Sequence, residues 1–202
     1  MSKPKIILVE LLKKYLVEDL SFHEFKFYQS LPKFKKSVKD LSFEIKFPGN
    51  DNNFFPGIMA YHVHFTIWSS TYRSWYKKAF ELKPSSATGI LQGDYTEKRR
   101  FDFDIARDKP DAIAKDILNH IYTFGFQYFS NNSSLEQIAK NSSKPFERVD
   151  LNLLLNNYQT AQKHLDEYTG QLNEQIKSYP HLEYLLPKCA MRQNYINTHN
   201  IH

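Results

Sequence analysis

The chain has 202 residues and a formal charge of +5 at neutral pH; 41% of it is apolar, 24% charged and 15% aromatic. Those proportions are globular and exclude disorder over most of the length, and no Pro/Gly/Ser-rich linker divides it, so a single domain is expected. Cys189 is the sole cysteine, which excludes an intramolecular disulfide framework and a cysteine-ligated zinc site.

At the N-terminus, an apolar run at 6–9 follows Lys3 and Lys5, but Glu10, Lys13 and Lys14 interrupt it before a signal-peptide core or a membrane span is complete. A cytoplasmic protein without a membrane partner is the expectation. Val9, Leu12, Leu16 and Leu20 recur at helical spacing, widened by Leu8, Leu11 and Tyr15, and predict a helix over 4–20 with a broad buried face. From Phe22 the period changes to two. Phe25, Phe27 and Gln29 alternate with Lys26 and Tyr28; Leu41, Phe43, Ile45 and Phe47 alternate with Ser42, Glu44 and Lys46. These are two half-buried strands, joined through a basic loop around Lys33, Lys35 and Lys36.

A dense turn signal at 48–53 precedes a third strand, where Met59, Tyr61, Val63, Phe65 and Ile67 alternate with Ala60, His62, His64 and Thr66. The aromatic stretch 74–82 fits a helix or a strand. Strands follow at 89–96 and 100–105, the second setting Phe101, Phe103 and Ile105 against Asp102 and Asp104; one polar face on each strand favours antiparallel pairing. Pro110 opens a helix carrying Ile113, Ile117 and Ile121, which Gly125 is expected to end. Ser133 to Glu136 has the form of a capping box and starts a short helix reaching about Lys140. Leu151, Leu154, Tyr158, Ala161, Leu165, Tyr168 and Leu172 then alternate three- and four-residue steps, predicting one helix roughly 33 Å long at about 1.5 Å per residue. The fold class is therefore α+β: an antiparallel sheet of about five strands packed against helices, with a long C-terminal helix. Residues 1–148 form the sheet domain, 149–186 a helical extension packed on it, and 187–202 a frayed tail.

The candidate chemistry lies in two doublets. His62 and His64 share one face of a strand, Asp102 and Asp104 one face of another, and Glu44 is near; converging, they would supply imidazole and carboxylate ligands for a divalent metal able to activate water. A solvated sheet face would place polar residues at the same positions. The run His64-Phe65-Thr66-Ile67 matches the His-x-Thr-hydrophobic element of two-histidine phosphoesterases, but no second copy exists. Neither a Gly-x-Ser-x-Gly elbow nor a glycine-rich phosphate loop occurs, so no cofactor is expected.

Two basic clusters, Lys33/Lys35/Lys36/Lys39 and Lys98/Arg99/Arg100, lie near aromatics that could stack on bases. Lys outnumbers Arg by 21 to 6 and Asn counts 14, a bias that A/T-rich coding sequence produces without selection for phosphate contact. Arginine would be expected to dominate forks to bases and phosphates. The regular C-terminal stripe either packs on the protein's own core or offers Tyr158, Leu165 and Tyr168 to a partner or a second copy.

The order of elements resembles an uncharacterised bacterial family of domains of unknown function, numbered four-three-zero-four, whose members start with a helix and build an aromatic-rich antiparallel sheet. They then run a helix into a Gly-aromatic turn and a short Ser-Leu-Glu helix. Tyr122-Thr123-Phe124-Gly125-Phe126-Gln127-Tyr128-Phe129 and Ser134-Leu135-Glu136 carry the likeness, over about residues 1–140. It implies a fold and no mechanism. The expected function is a non-enzymatic binding or protein-interaction protein, toxin-neutralising (immunity-like) in one version, with another protein or itself as partner. The alternatives are a metal-dependent hydrolase using the His/Asp doublets and, third, a nucleic-acid-binding protein.

Overall fold

A computed structural model describes residues 3–48, 58–81, 90–91, 100–104 and 107–199. The fold is α+β, with an antiparallel sheet, helices and a long helix toward the C-terminus. The single domain expected from the sequence is instead divided into two compact units: residues 1–68 with 95–130, and residues 69–94 with 131–202.

In the first unit the predicted N-terminal helix is present as α1 (Lys3–Tyr15) and α2 (Val17–Phe22). Backbone bonds from Leu16 N to Leu12 O (2.9 Å) and from Leu20 N to Leu16 O (3.0 Å) carry the ladder across the junction. Leu12, Leu16 and Leu20 are fully buried, as their spacing predicts. Strands β1 (Lys26–Tyr28), β2 (Lys33–Val38) and β3 (Leu41–Lys46) form an antiparallel meander. The expected basic loop is therefore itself a strand, because Phe34 supplies the buried alternate position: it lies opposite Phe27 and Ile45 and is wholly inaccessible.

The third predicted strand breaks at buried Val63 into β4 (Ile58–His62) and β5 (His64–Ser69). Strand β5 joins the meander in the order β1-β2-β3-β5, whereas β4 pairs with a later strand, Arg100–Asp104. Phe129 anchors the core, with its ring 5.9 Å from Phe25, 5.1 Å from Phe43 and 5.8 Å from Phe65. It is carried on a helical run that Gly125 does not end. Helix α4 (Pro110–His120) passes through a π-helical turn, Ile121–Gly125, and continues as α5 (Phe126–Asn131). Gly125 serves packing instead: a Cβ there would collide with the ring of Phe65. Ile105 and residues 48–53 apart from Pro48 fall outside the described residues.

The second unit is mainly helical. The ambiguous segment is α3 (Ser70–Phe80), capped by the Ser69 hydroxyl, which accepts from Tyr72 N at 3.0 Å. Of the strand expected at 89–96 only β6 (Ile90–Leu91) is described, and with it the strand pairing β4 becomes β7. Helix α6 (Leu135–Asn141) is capped one residue later than expected: Ser134 Oγ accepts from Gln137 N, and the Gln137 side chain accepts from Ser133 N (2.8 Å). Helices α7 (Pro145–Leu154) and α8 (Tyr158–Ser178) replace the single long helix, divided by Asn156 at φ 59°. The tail is helical too. After a 3₁₀ turn (Pro180–Leu185), α9 (Leu186–His199) buries Cys189, Arg192 and Ile196. Cys189 and Ile196 join Phe80, Val149, Leu153, Ala161, Leu165 and Leu172 in one apolar cluster. Residues 187–199 are thus part of a core, which a frayed segment is not, and the helical unit begins well before residue 149.

Candidate functional site

Strand pairing decides the fate of the His/Asp doublets. Ala60 lies opposite Asp102 and His62 opposite Arg100, so His62 and Asp102 are diagonal neighbours on one face of the β4–β7 pair. His64 sits beyond the break at Val63, on β5, its ring centroid 6.0 Å from that of His62. Asp104 is engaged in a turn: its backbone N–H donates to Asp108 Oδ2 at 2.7 Å, and its carboxylate lies 3.7 Å from Arg107 Nε. Glu44 is held elsewhere by lysines. Among the described residues no group of three or more His, Cys, Asp and Glu gathers as a metal ion would need. The break at Val63 places the two histidines on different strand pairs, and Asp104 is taken up by its own turn. His62 Nδ1 is nonetheless buried without a hydrogen-bond partner.

The helical stripe turns inward. Leu165 is buried in the cluster of the second unit, and Tyr158 and Tyr168 pack against that cluster from its edge. Tyr168 meets Phe146 edge-on at 5.0 Å, and Tyr158 donates to Asn156 Oδ1 at 3.1 Å. Leu165 is therefore a core residue, which corrects its candidacy as a partner contact.

The most developed polar constellation is one that motif searching passed over. Arg192 on α9 grips Asp150 on α7 with two bonds, Nε to Oδ1 at 2.7 Å and Nη2 to Oδ2 at 2.6 Å. Tyr72 on α3 donates its hydroxyl to Asp150 Oδ2 at 3.1 Å, and Arg192 Nη1 donates to Lys188 O at 2.9 Å. The guanidinium lies 4.1 Å from the Phe146 ring centroid and 5.2 Å from that of Phe80. Burial pushes the Asp150 carboxyl up while Arg192 and Tyr72 pull it back; burial and the Asp150 carboxylate together hold the Tyr72 phenol far above its ordinary value. Asp150 and Arg192 are buried at 1% and 3% exposure, which leaves no room for a substrate. This network ties three helices together and is closed to chemistry.

Open polar chemistry lies on the first unit's meander. Register places Lys26 and Tyr28 of β1, Lys33 and Lys35 of β2, and Glu44 and Lys46 of β3 on one face. Lys26 is directly opposite Lys35, and Lys33 directly opposite Lys46. Glu44 takes Lys33 Nζ at 2.6 Å and Lys46 Nζ at 3.0 Å, so the carboxylate serves two of the four lysines. Burial alone would raise the Glu44 carboxyl, but the two ammonium groups prevail and hold it below the usual glutamate value. Lys26 and Lys35 form no ion pair among the described residues. Lys33 Nζ also stands 5.8 Å from the ring centroid of Tyr28, which is 43% exposed. Lys36 points to the opposite face and pairs with Glu24 at 2.8 Å. Of the second basic cluster, residues 98 and 99 lie outside the described residues and Arg100 is described through its backbone alone.

No helix among the described residues is long and apolar enough to cross a membrane. No family model, curated protein or solved structure matches the chain.

Proposed function

We propose that this protein is a non-enzymatic binding protein that engages a macromolecular partner through the lysine-bearing face of its first unit. The observation that carries the reading is the two pairs of opposed lysines, Lys26 with Lys35 and Lys33 with Lys46, of which Glu44 compensates only the second. Like charges directly across a strand pair cost stability, and an anionic partner removes that cost on binding. The closed Tyr72–Asp150–Arg192 network supports the non-enzymatic part, since the best-formed polar cluster is consumed by the fold. An acidic target fits this face, and a basic neutraliser of an acidic toxin surface is one form of it.

The test has two parts. Untagged protein should contain metal far below one equivalent by elemental analysis, and should elute from a heparin column at higher salt than the doubly substituted Lys26→Gln/Lys35→Gln protein. Equal elution of the two proteins would remove the face from consideration. One equivalent of metal, lost on His62→Ala, would move the function to the metal-dependent hydrolase that the unpartnered Nδ1 of His62 favours.

A further inference from the structure

Resting on that reading, we infer that the β1–β3 face binds single-stranded nucleic acid without sequence preference, Lys26, Lys33, Lys35 and Lys46 holding phosphates and Tyr28 stacking on a base. Three features of the face select this ligand. The first is charge: four ammonium groups and one carboxylate leave a concentrated positive surface, with Lys26 and Lys35 free of ion pairs among the described residues.

The second is spacing. Residues two apart on a strand are separated by roughly 6.6 Å, and neighbouring strands lie about 4.8 Å apart. Lys33 and Lys35 therefore form one row, flanked on one side by Lys26 and on the other by Lys46, an arrangement that tracks an extended backbone carrying a charge at every unit. The third is the ring. Tyr28 is on the same face, exposed, with Lys33 beside it, so a base stacked on the phenol brings its phosphate to the ammonium groups. A duplex hides its base faces and cannot use that ring. Lysine in place of arginine sets the specificity. An ammonium is a point charge on a flexible stem, suited to phosphate and unable to make the planar fork that reads guanine. The Lys-rich composition therefore argues against sequence recognition and leaves backbone recognition intact.

The experiment is fluorescence anisotropy of a labelled oligothymidylate with the full-length chain across 50 to 200 mM salt. Four phosphate contacts at about 0.7 each give a log–log slope near −2.8, which is about a fifty-fold loss of affinity over that range. Lys26→Gln/Lys35→Gln should halve the slope and leave about a sevenfold loss. Tyr28→Ala should weaken binding about tenfold at every salt with the slope unchanged. Circular dichroism of both variants establishes that they remain folded. No binding at 50 mM salt, equal affinity for a duplex of the same length, or an unaltered affinity in Tyr28→Ala each overturns the inference. Retention on heparin together with binding of poly-glutamate and none of the oligonucleotide would leave the anion-binding function standing and replace the nucleic acid by an acidic polypeptide.

Discussion

Asp150 and Arg192 stand 42 positions apart in sequence and meet as a bidentate pair with no water-accessible side. Removing two charges from water costs several kcal/mol per ion, and the attraction between them offsets that cost only when both partners and their hydrogen bonds are present. The pair is therefore a register device for α3, α7 and α9 more than a source of net stability. Arg192→Met leaves the Asp150 carboxylate buried without its cation and should cost about 3–5 kcal/mol in denaturant unfolding. The triple replacement Tyr72→Phe/Asp150→Leu/Arg192→Met removes every member of the network together. It should return to within about 1 kcal/mol of the parent, because no polar group is left stranded. A triple variant as unstable as Arg192→Met alone would mean that the network contributes stabilisation beyond mutual neutralisation.

The meander gives a pH dependence at the scale of an element. Glu44 has its folded-state pKa lowered by Lys33 and Lys46 against the opposing effect of burial. The folded chain thus binds the Glu44 proton less readily than the unfolded chain does. The resulting stabilisation is complete above the unfolded value near 4.3 and is lost as pH falls through the folded one. The denaturation midpoint of the parent should exceed that of Glu44→Gln at pH 7, and the gap should close on acidification below about pH 4. A gap that stayed constant with pH would place the effect of Glu44 in packing.

The same elements mark what could be read in advance. The alternation through Leu41, Phe43 and Ile45 gave β3 correctly, and helical spacing gave α1, α4 and the buried side of α8. The break at Val63 was invisible because β4 and β5 keep one alternation on both sides of it, while pairing partners belong to distant sequence. The break at Asn156 was equally hidden, since Leu154 and Tyr158 preserve the helical phase across it. For the network there was one local signal: Asp150 interrupts an apolar run between Val149 and Leu151, and a charge so placed must find a buried partner. Nothing local identifies Arg192 as that partner.

At the scale of the whole molecule the chain builds two cores, one around Phe43, Phe65 and Phe129 and one around Leu153, Ala161 and Leu165. The sequence crosses between them more than once, because 69–94 leaves the first unit and 95–130 returns to it. Composition could not announce this division, since no Pro/Gly/Ser-rich linker marks any of the three crossings and both units are rich in aromatics. The charge-bearing face belongs to the first unit and the closed ion pair to the second, so the lysines and the buried network belong to different cores. Hydrogen exchange read by mass spectrometry can separate them, because amides are protected by the local opening free energy of the unit that contains them. In Arg192→Met, protection should fall across α3, α7, α8 and α9, while β2 and β3 retain theirs at low denaturant. Oligonucleotide affinity measured under the same conditions should stay at the parent value. A uniform loss of protection over both sets of elements would mean that the two cores open as one cooperative unit, and that the stability of the lysine face depends on the ion pair of the second unit.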